Sequence, residues 1–208
     1  MRGLFITFEG VEGCGKTTQI QMLADYLRGL GREVVRTREP GGTPAAERVR
    51  GLLLDPEMRG MAPMTELLLY AAARAQHVAE VIRPALSSGA VVLCDRYADS
   101  TTAYQGGGRA LPMDDIRTLH GLATGGVWPD CTILLDLPAE EGLARTHGRG
   151  VPDRIEGEPL DFHQRVREAF LRIAAQEPER ITIINAAGPA ETVAEAVRAR
   201  VDRLLQDN

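Results

Sequence analysis

The sequence predicts an α/β fold, with a five-stranded parallel sheet and helices on both of its faces. Two observations carry this. Five short apolar runs are spread along the 208 residues, and each is followed by a stretch whose apolar residues recur at helical spacing. The runs are apolar throughout rather than alternating, which suits strands buried on both faces of a parallel sheet. In open sheets of this kind ligands bind beyond the carboxyl ends of the strands. The loops "EGVEGCGKTT", "REPGG", "DRYADST" and "DLPAEEG" are therefore the places to look for function.

The elements follow in order. Residues 4–8 (LFITF) read as the first strand. A glycine-rich turn leads to Thr17, after which Ile20, Leu23, Leu27 and Leu30 share a helical face and Gly31 ends the helix. Residues 33–37 read as the second strand, 45–54 as a helix, and 65–86 as one long helix closed by Ser87, Ser88 and Gly89. Residues 90–94 give the third strand, 114–123 a helix and 131–137 the fourth strand. A helix over 140–145 runs into a polar, glycine-containing segment with Arg145, Arg149 and Arg154. Residues 162–176 are helical, 181–185 form the fifth strand, and 190–205 the last helix. One domain, residues 1–208, accommodates them all, with residues 143–156 as a small mobile lid.

Residues 10–17, GVEGCGKT, match G-x-x-x-x-G-K-[ST] in full, between a strand and a helix as that motif requires. The backbone N–H groups of Gly10, Val11, Glu12, Gly13, Cys14 and Gly15 can turn inward around phosphate oxygens. The helix N-terminus, entered at Thr17 and Thr18, adds partial positive charge. Lys16 reaches the β- and γ-phosphates, and the Thr17 hydroxyl is placed to ligate Mg²⁺. Lys16 is also the only lysine among 24 basic residues. A planar guanidinium does not substitute for a compact ammonium at such a site. The fold is therefore of the P-loop NTPase type, and the chain binds a nucleoside triphosphate.

Composition narrows the class. A net charge of −5 argues against a nucleic-acid surface. No apolar run approaches the ~20 residues of a membrane span. The N-terminus lacks the features of a signal peptide. Cys14, Cys94 and Cys131 show neither metal-ligand spacing nor a disulfide framework, so a cytoplasmic location is expected. A guanine-reading loop needs a second lysine, which the chain lacks, and a motor or large ATPase needs more residues. A small kinase acting on a small acceptor fits. A regulator that senses ATP without turnover is the alternative of another class.

The remaining strand-end loops fit a kinase. Asp95 could hold Mg²⁺ through water or accept a proton. Arg96 could clamp a phosphate in a bidentate way, or both could serve a structural ion pair. Tyr70 and Arg74 share a helix face, where a ring and a guanidinium can stack on a base and bond its edge. A lid bearing Arg149 and Arg154 could close over a triphosphate and stabilise the transferred charge.

Together the segments "FEGVEGCGKTT", "TREPGGT", "LLLYAAARAQH", "DRYADSTTAYQGGGR", "PDCTILLDL" and "GRGVPDRIE" resemble the bacterial thymidylate kinases over nearly the whole chain. The resemblance implies transfer of the γ-phosphoryl group of ATP to dTMP, with Mg²⁺, by a homodimer. It implies that Glu39 and Pro40 shape the acceptor pocket, often across a cis peptide, and that Arg50 and Arg96 hold the dTMP phosphate. Tyr70 stands where the family usually stacks phenylalanine on thymine. Arg74 and Gln105 would bond the thymine edge with Thr101 nearby, and Tyr104 would crowd the sugar 2′ position. Asp95 would lie near the metal, and Glu12 near the acceptor sugar or the metal. With no arginine among residues 11–14, the chain resembles members whose catalytic arginine sits in the lid, here Arg149 or Arg154. Another nucleoside monophosphate or deoxynucleoside kinase is the alternative.

Overall fold

The computed structural model describes residues 3–146 and 152–206. Its centre is β1 (Leu4–Glu9), buried along its whole length. Four further strands pair in parallel: β2 (Val34–Arg38), β3 (Val91–Asp95), β4 (Cys131–Asp136) and β5 (Ile181–Asn185), in the order β2-β3-β1-β4-β5. Successive side chains of a strand point to opposite faces. Leu4, Ile6 and Phe8 accordingly join a core with Leu23 and Leu27 of α1 (Lys16–Gly29) and Val193, Val197 and Val201 of α9 (Ala190–Gln206). Phe5 faces the other side, toward Val78, Ile82 and Tyr97.

That second side carries the remaining helices. These are α2 (Pro44–Leu54), α3 (Pro63–His77) and α4 (Arg83–Ser87), then α5 (Ala98–Thr101) and α6 (Met113–Thr124), then α7 (Ala139–Thr146) and α8 (Leu160–Gln176). α3 continues through a wide π-type turn at Val78–Ile82 into α4, so the long helix expected over 65–86 is continuous but locally underwound. Phe162, Val166 and Phe170 of α8 pack on Ala103, Tyr104 and Leu134. Cys14, Cys94 and Cys131 are free thiols, all buried. Among the described residues no helix is long and apolar enough to cross a membrane.

One expectation needs correction. The stretch after β3, expected as an open loop, is irregular only at Arg96 and Tyr97. It then turns helical as α5 and continues as a seven-residue π-type helix over Thr102–Gly108. Gly106, Gly107 and Gly108 hide it from propensity reasoning. They are needed because a Cβ on Gly107 would meet Ala169 at 2.4 Å, and one on Gly108 would meet Phe162 at 2.5 Å. Of the segment expected as a lid, residues 143–146 end α7, residues 154–157 form turns, and Arg149 lies outside the described residues.

The sheet's carboxyl edge is tied together by backbone bonds. Arg96 N donates to Phe8 O at 2.9 Å and Glu39 N to Asp95 O at 2.9 Å. On the far side the phosphate loop rests on α7, where Gly13 and Gly142 meet backbone to backbone. A Cβ on Gly142 would sit 2.2 Å from Glu12 O. Gly142→Ala therefore forces the loop off α7. It should lower the ATP affinity and cost about 1–3 kcal/mol of stability, as overpacked sites do. Nucleotide titration and urea denaturation of the variant check this.

Candidate active site

The phosphate loop begins where β1 ends. Val11 and Cys14 are buried beneath it, so the loop offers only backbone to a ligand at those positions. Lys16 Nζ donates to Gly10 O at 3.2 Å and Val11 O at 3.0 Å, and lies 3.5 Å from Cys14 Sγ. The ammonium is thus folded over the loop without a carboxylate partner among the described residues. α1 starts at Lys16 with glycine as its N-cap and no acidic residue in its first turn, which leaves the helix N-terminus open to an anion. The Thr17 hydroxyl donates to Asp95 Oδ2 at 3.2 Å.

Arg96 links this loop to the segment after β3. Its backbone is left-handed, with φ 69°, a costly conformation for a residue with a side chain. The side chain donates to Glu12 Oε1 at 2.6 Å, Gly10 O at 2.9 Å and Ser100 Oγ at 3.2 Å, and covers the Tyr104 ring at 4.9 Å. The Tyr104 hydroxyl donates to the same Glu12 oxygen at 3.1 Å. Burial works against the Glu12 carboxylate, yet Arg96, Lys16 and Tyr104 hold its pKa down to about 2.

A second cluster sits under the "REPGG" loop. The Glu39–Pro40 peptide is cis, as the resemblance implied. Glu39 accepts from Arg74 Nε at 2.8 Å and from His77 Nδ1 at 2.9 Å, while His77 Nε2 meets Thr37 Oγ1 at 2.6 Å. Arg74 Nη2 donates to Tyr97 O and Thr101 Oγ1, both at 3.0 Å. Arg50 Nη1 donates to Pro40 O at 3.0 Å. Burial, then the nearby Arg38, lower the Arg50 pKa, against Glu47, Tyr70 and Asp153.

Two clefts result. The smaller is lined by Tyr70, Arg74, Thr101, Tyr104 and Gln105, among others. The larger is lined by Gly13, Gly15, Lys16, Thr17, Thr18 and Asp95. Glu12, Glu39, Arg50 and Arg96 line both. Among the described residues no group of three or more His, Cys, Asp or Glu could hold a metal by itself.

Arg154 departs from expectation. It lines neither cleft and is 6% exposed. Its guanidinium is ion-paired with Glu66 and donates to Leu53 O at 2.7 Å, so it does not stand free in a lid. The partner explains why: Glu66 is buried and needs its charge balanced.

Sequence reasoning missed Glu66, His77 and Glu9. Glu66 precedes Tyr70 by four residues, so the helical face that pointed to Tyr70 and Arg74 also contained it. Glu9 accepts from Tyr97 N at 2.7 Å and Ser100 Oγ at 2.5 Å, fixing the segment after β3 against the root of the phosphate loop.

The sequence pattern of the thymidylate kinase family matches residues 8–197. The thymidylate kinase of Pseudomonas fluorescens (strain SBW25) is 56% identical over 206 residues, covering 99% of this chain and 98% of that protein. That of Geobacter sulfurreducens is 57% identical over 201 residues, covering 94% of each. The crystal structure of thymidylate kinase from Ehrlichia chaffeensis superposes with a TM-score of 0.80 at 35% identity. It covers 97% of this chain and 100% of that one.

Burial, then the Asp99 carboxylate, push the Glu9 carboxyl up to about 8, against Ser100, Arg96 and the Tyr97 N–H. A raised folded-state pKa means that folding takes up a proton. Its stabilisation is complete below the unfolded value near 4.5 and is lost as pH rises toward 8. Glu9→Gln mimics the protonated form. It should flatten this part of the stability profile, whose slope reaches at most about 1.4 kcal/mol per pH unit. Urea denaturation across pH 5 to 8 checks it; an identical slope in the variant counts against the assignment.

Proposed function

The chain belongs to the thymidylate kinase family, and from that premise we propose how its two clefts divide the reaction. The enzyme transfers the γ-phosphoryl group of ATP to dTMP, giving dTDP and ADP. The observation that carries the division of labour is the shared wall. Glu12, Glu39, Arg50 and Arg96 line both clefts, so a phosphate in one faces a phosphate in the other across the same charged residues.

ATP occupies the larger cleft. The amides of residues 10–15, the α1 N-terminus and Lys16 hold its β- and γ-phosphates. The residues there fit Mg²⁺. Thr17 Oγ1 and Asp95 Oδ2 are oxygen donors 3.2 Å apart, and a hard cation takes its other ligands from phosphate and water. When bound, Mg²⁺ neutralises charge on the β- and γ-phosphate oxygens.

dTMP occupies the smaller cleft. Arg50 and Arg96 hold its phosphate, Tyr104 borders its sugar and Tyr70 stacks on its base. Arg74 spends three donor contacts on Glu39, Tyr97 O and Thr101, which locks its plane. Its Nη1 takes no partner among the described residues and is left for the thymine edge. Glu12, ionised and anchored on Arg96, orients that arginine. The acceptor phosphate is already a nucleophile, so catalysis consists of alignment and charge stabilisation. Arg149 supplies charge from the lid side, and Arg154 braces the base pocket.

Exposed Met64 and Leu68 of α3 and Leu122 of α6 support a homodimer contact; the three free, buried thiols support a cytoplasmic location.

Three measurements test this reading. Given dTMP, dUMP, dCMP, dGMP and AMP with ATP, the enzyme should prefer dTMP; preference for another acceptor sinks the assignment. Lys16→Ala should abolish turnover while circular dichroism stays native. Arg149→Ala should reduce kcat by about 10³-fold or more, as loss of a charge-stabilising arginine does, with dTMP binding far less affected. Equal losses in both would remove Arg149 from that role.

A further inference from the structure

Deep behind the smaller cleft, on the face of α3 one turn before Tyr70, Glu66 is completely buried. Its Oε1 accepts from Gln105 Nε2 at 2.7 Å and Arg109 Nε at 3.2 Å. Its Oε2 accepts from Arg109 Nη2 at 3.1 Å and from Arg154 Nη1. Arg109 is paired in turn with Glu158 at 2.6 Å, so two carboxylates balance two guanidinium groups. Burial works against the Glu66 charge, but Arg109, Gln105 and Arg154 hold its pKa below the usual range. An ionised carboxylate offers only lone pairs. Whatever faces it must donate, and that decides which end of the Gln105 amide turns toward Glu66.

We propose that Glu66 is a positioning residue for base recognition: it captures the Gln105 NH₂ group, so that the Gln105 carbonyl oxygen is the atom presented to the base. Gln105 lines the cleft, and its Oε1 takes no partner among the described residues. Beside it Arg74 presents Nη1–H. The pocket thus offers a donor next to an acceptor, in fixed order. That pattern matches the imide edge of thymine or uracil, where a carbonyl oxygen stands beside N3–H. It opposes cytosine on both counts, with an amino group facing Arg74 and a bare N3 facing Gln105 Oε1. An amide free to turn over would lose the second of these oppositions. Arg154 and Arg109 complete the clamp, which gives Arg154 a task at the base rather than at the transferred phosphate.

The inference rests on the reading of the smaller cleft as the dTMP site, and its test separates the two. Glu66→Gln keeps the shape but can accept or donate, so the Gln105 amide can turn over. The dTMP KM should rise about tenfold, the scale of one mispaired buried polar group. The ratio of kcat/KM for dTMP over dCMP should fall by a similar factor, with kcat changed less than either. In a Gln105→Ala background the same substitution should leave that ratio where Gln105→Ala alone puts it, because Glu66 acts through Gln105.

A loss of melting temperature and kcat with the dTMP:dCMP ratio unmoved would mean a merely structural role and overturn the proposal. If Glu66→Gln does not fold, the wild-type protein decides. With ¹⁵N-labelled glutamine, a Gln105 side-chain N–H should be protected from solvent exchange without dTMP and stay so with it. Protection that appears only on adding dTMP would overturn the proposal. A wild-type enzyme that prefers another acceptor would instead overturn the dTMP reading itself.

Discussion

The arrangement depends on one contact, the Arg96 guanidinium on the Glu12 carboxylate. Glu12 belongs to the loop after the central strand and Arg96 to the loop after its neighbour, so their pairing sets the distance between the two clefts. The contact is expensive on both sides. Arg96 adopts a left-handed backbone to make it, and Glu12 keeps its charge in a part-buried position. Such costs persist only where the surroundings over-determine them. Here Gly10 O, Ser100 and the Tyr104 ring do so, while Glu9 fixes Tyr97 and Ser100 from beneath.

The same logic recurs one layer deeper. Glu39, Glu66 and Asp99 are buried carboxylates, each met by an arginine: Arg74, Arg154 with Arg109, and Arg180. A buried pair adds little net stability over an apolar one, but breaking it leaves a stranded charge. What it does give is direction. Arg74 shows it most clearly: three contacts fix its plane, and the nitrogen left over points where the fold sends it. The base pocket is therefore shaped partly from behind, by Glu66, Arg109 and Arg154, which line neither cleft.

Much of this was legible in the chain. The five strands announced themselves because parallel strands buried on both faces are apolar throughout, and the helices of α1 and α9 because one face of each meets the sheet. GVEGCGKT was legible because phosphate binding by backbone needs glycine at set places. The segment after Tyr97 was not, since three glycines and two threonines read as loop; two of those glycines are there because α8 packs too closely for a Cβ. Arg154 was misleading for another reason. Its partner Glu66 lies 88 residues away, and no local pattern reports a pairing at that separation. His77 was invisible likewise, its meaning fixed by Glu39 across a turn whose path only the fold reveals.

Lys16 has a consequence outside the reaction. It carries the only side-chain amine in the chain; the residue is 8% exposed, and its amine curls against two carbonyls. Arginine-rich surfaces are inert to acylating and aldehyde reagents that attack amines. Apart from the chain's α-amino group, such a reagent finds one target, and in the proposed reaction nucleotide in the loop covers it. Amine labelling of this protein is thereby an occupancy probe: the extent of modification at Lys16 reads how much of the enzyme holds a phosphate ligand.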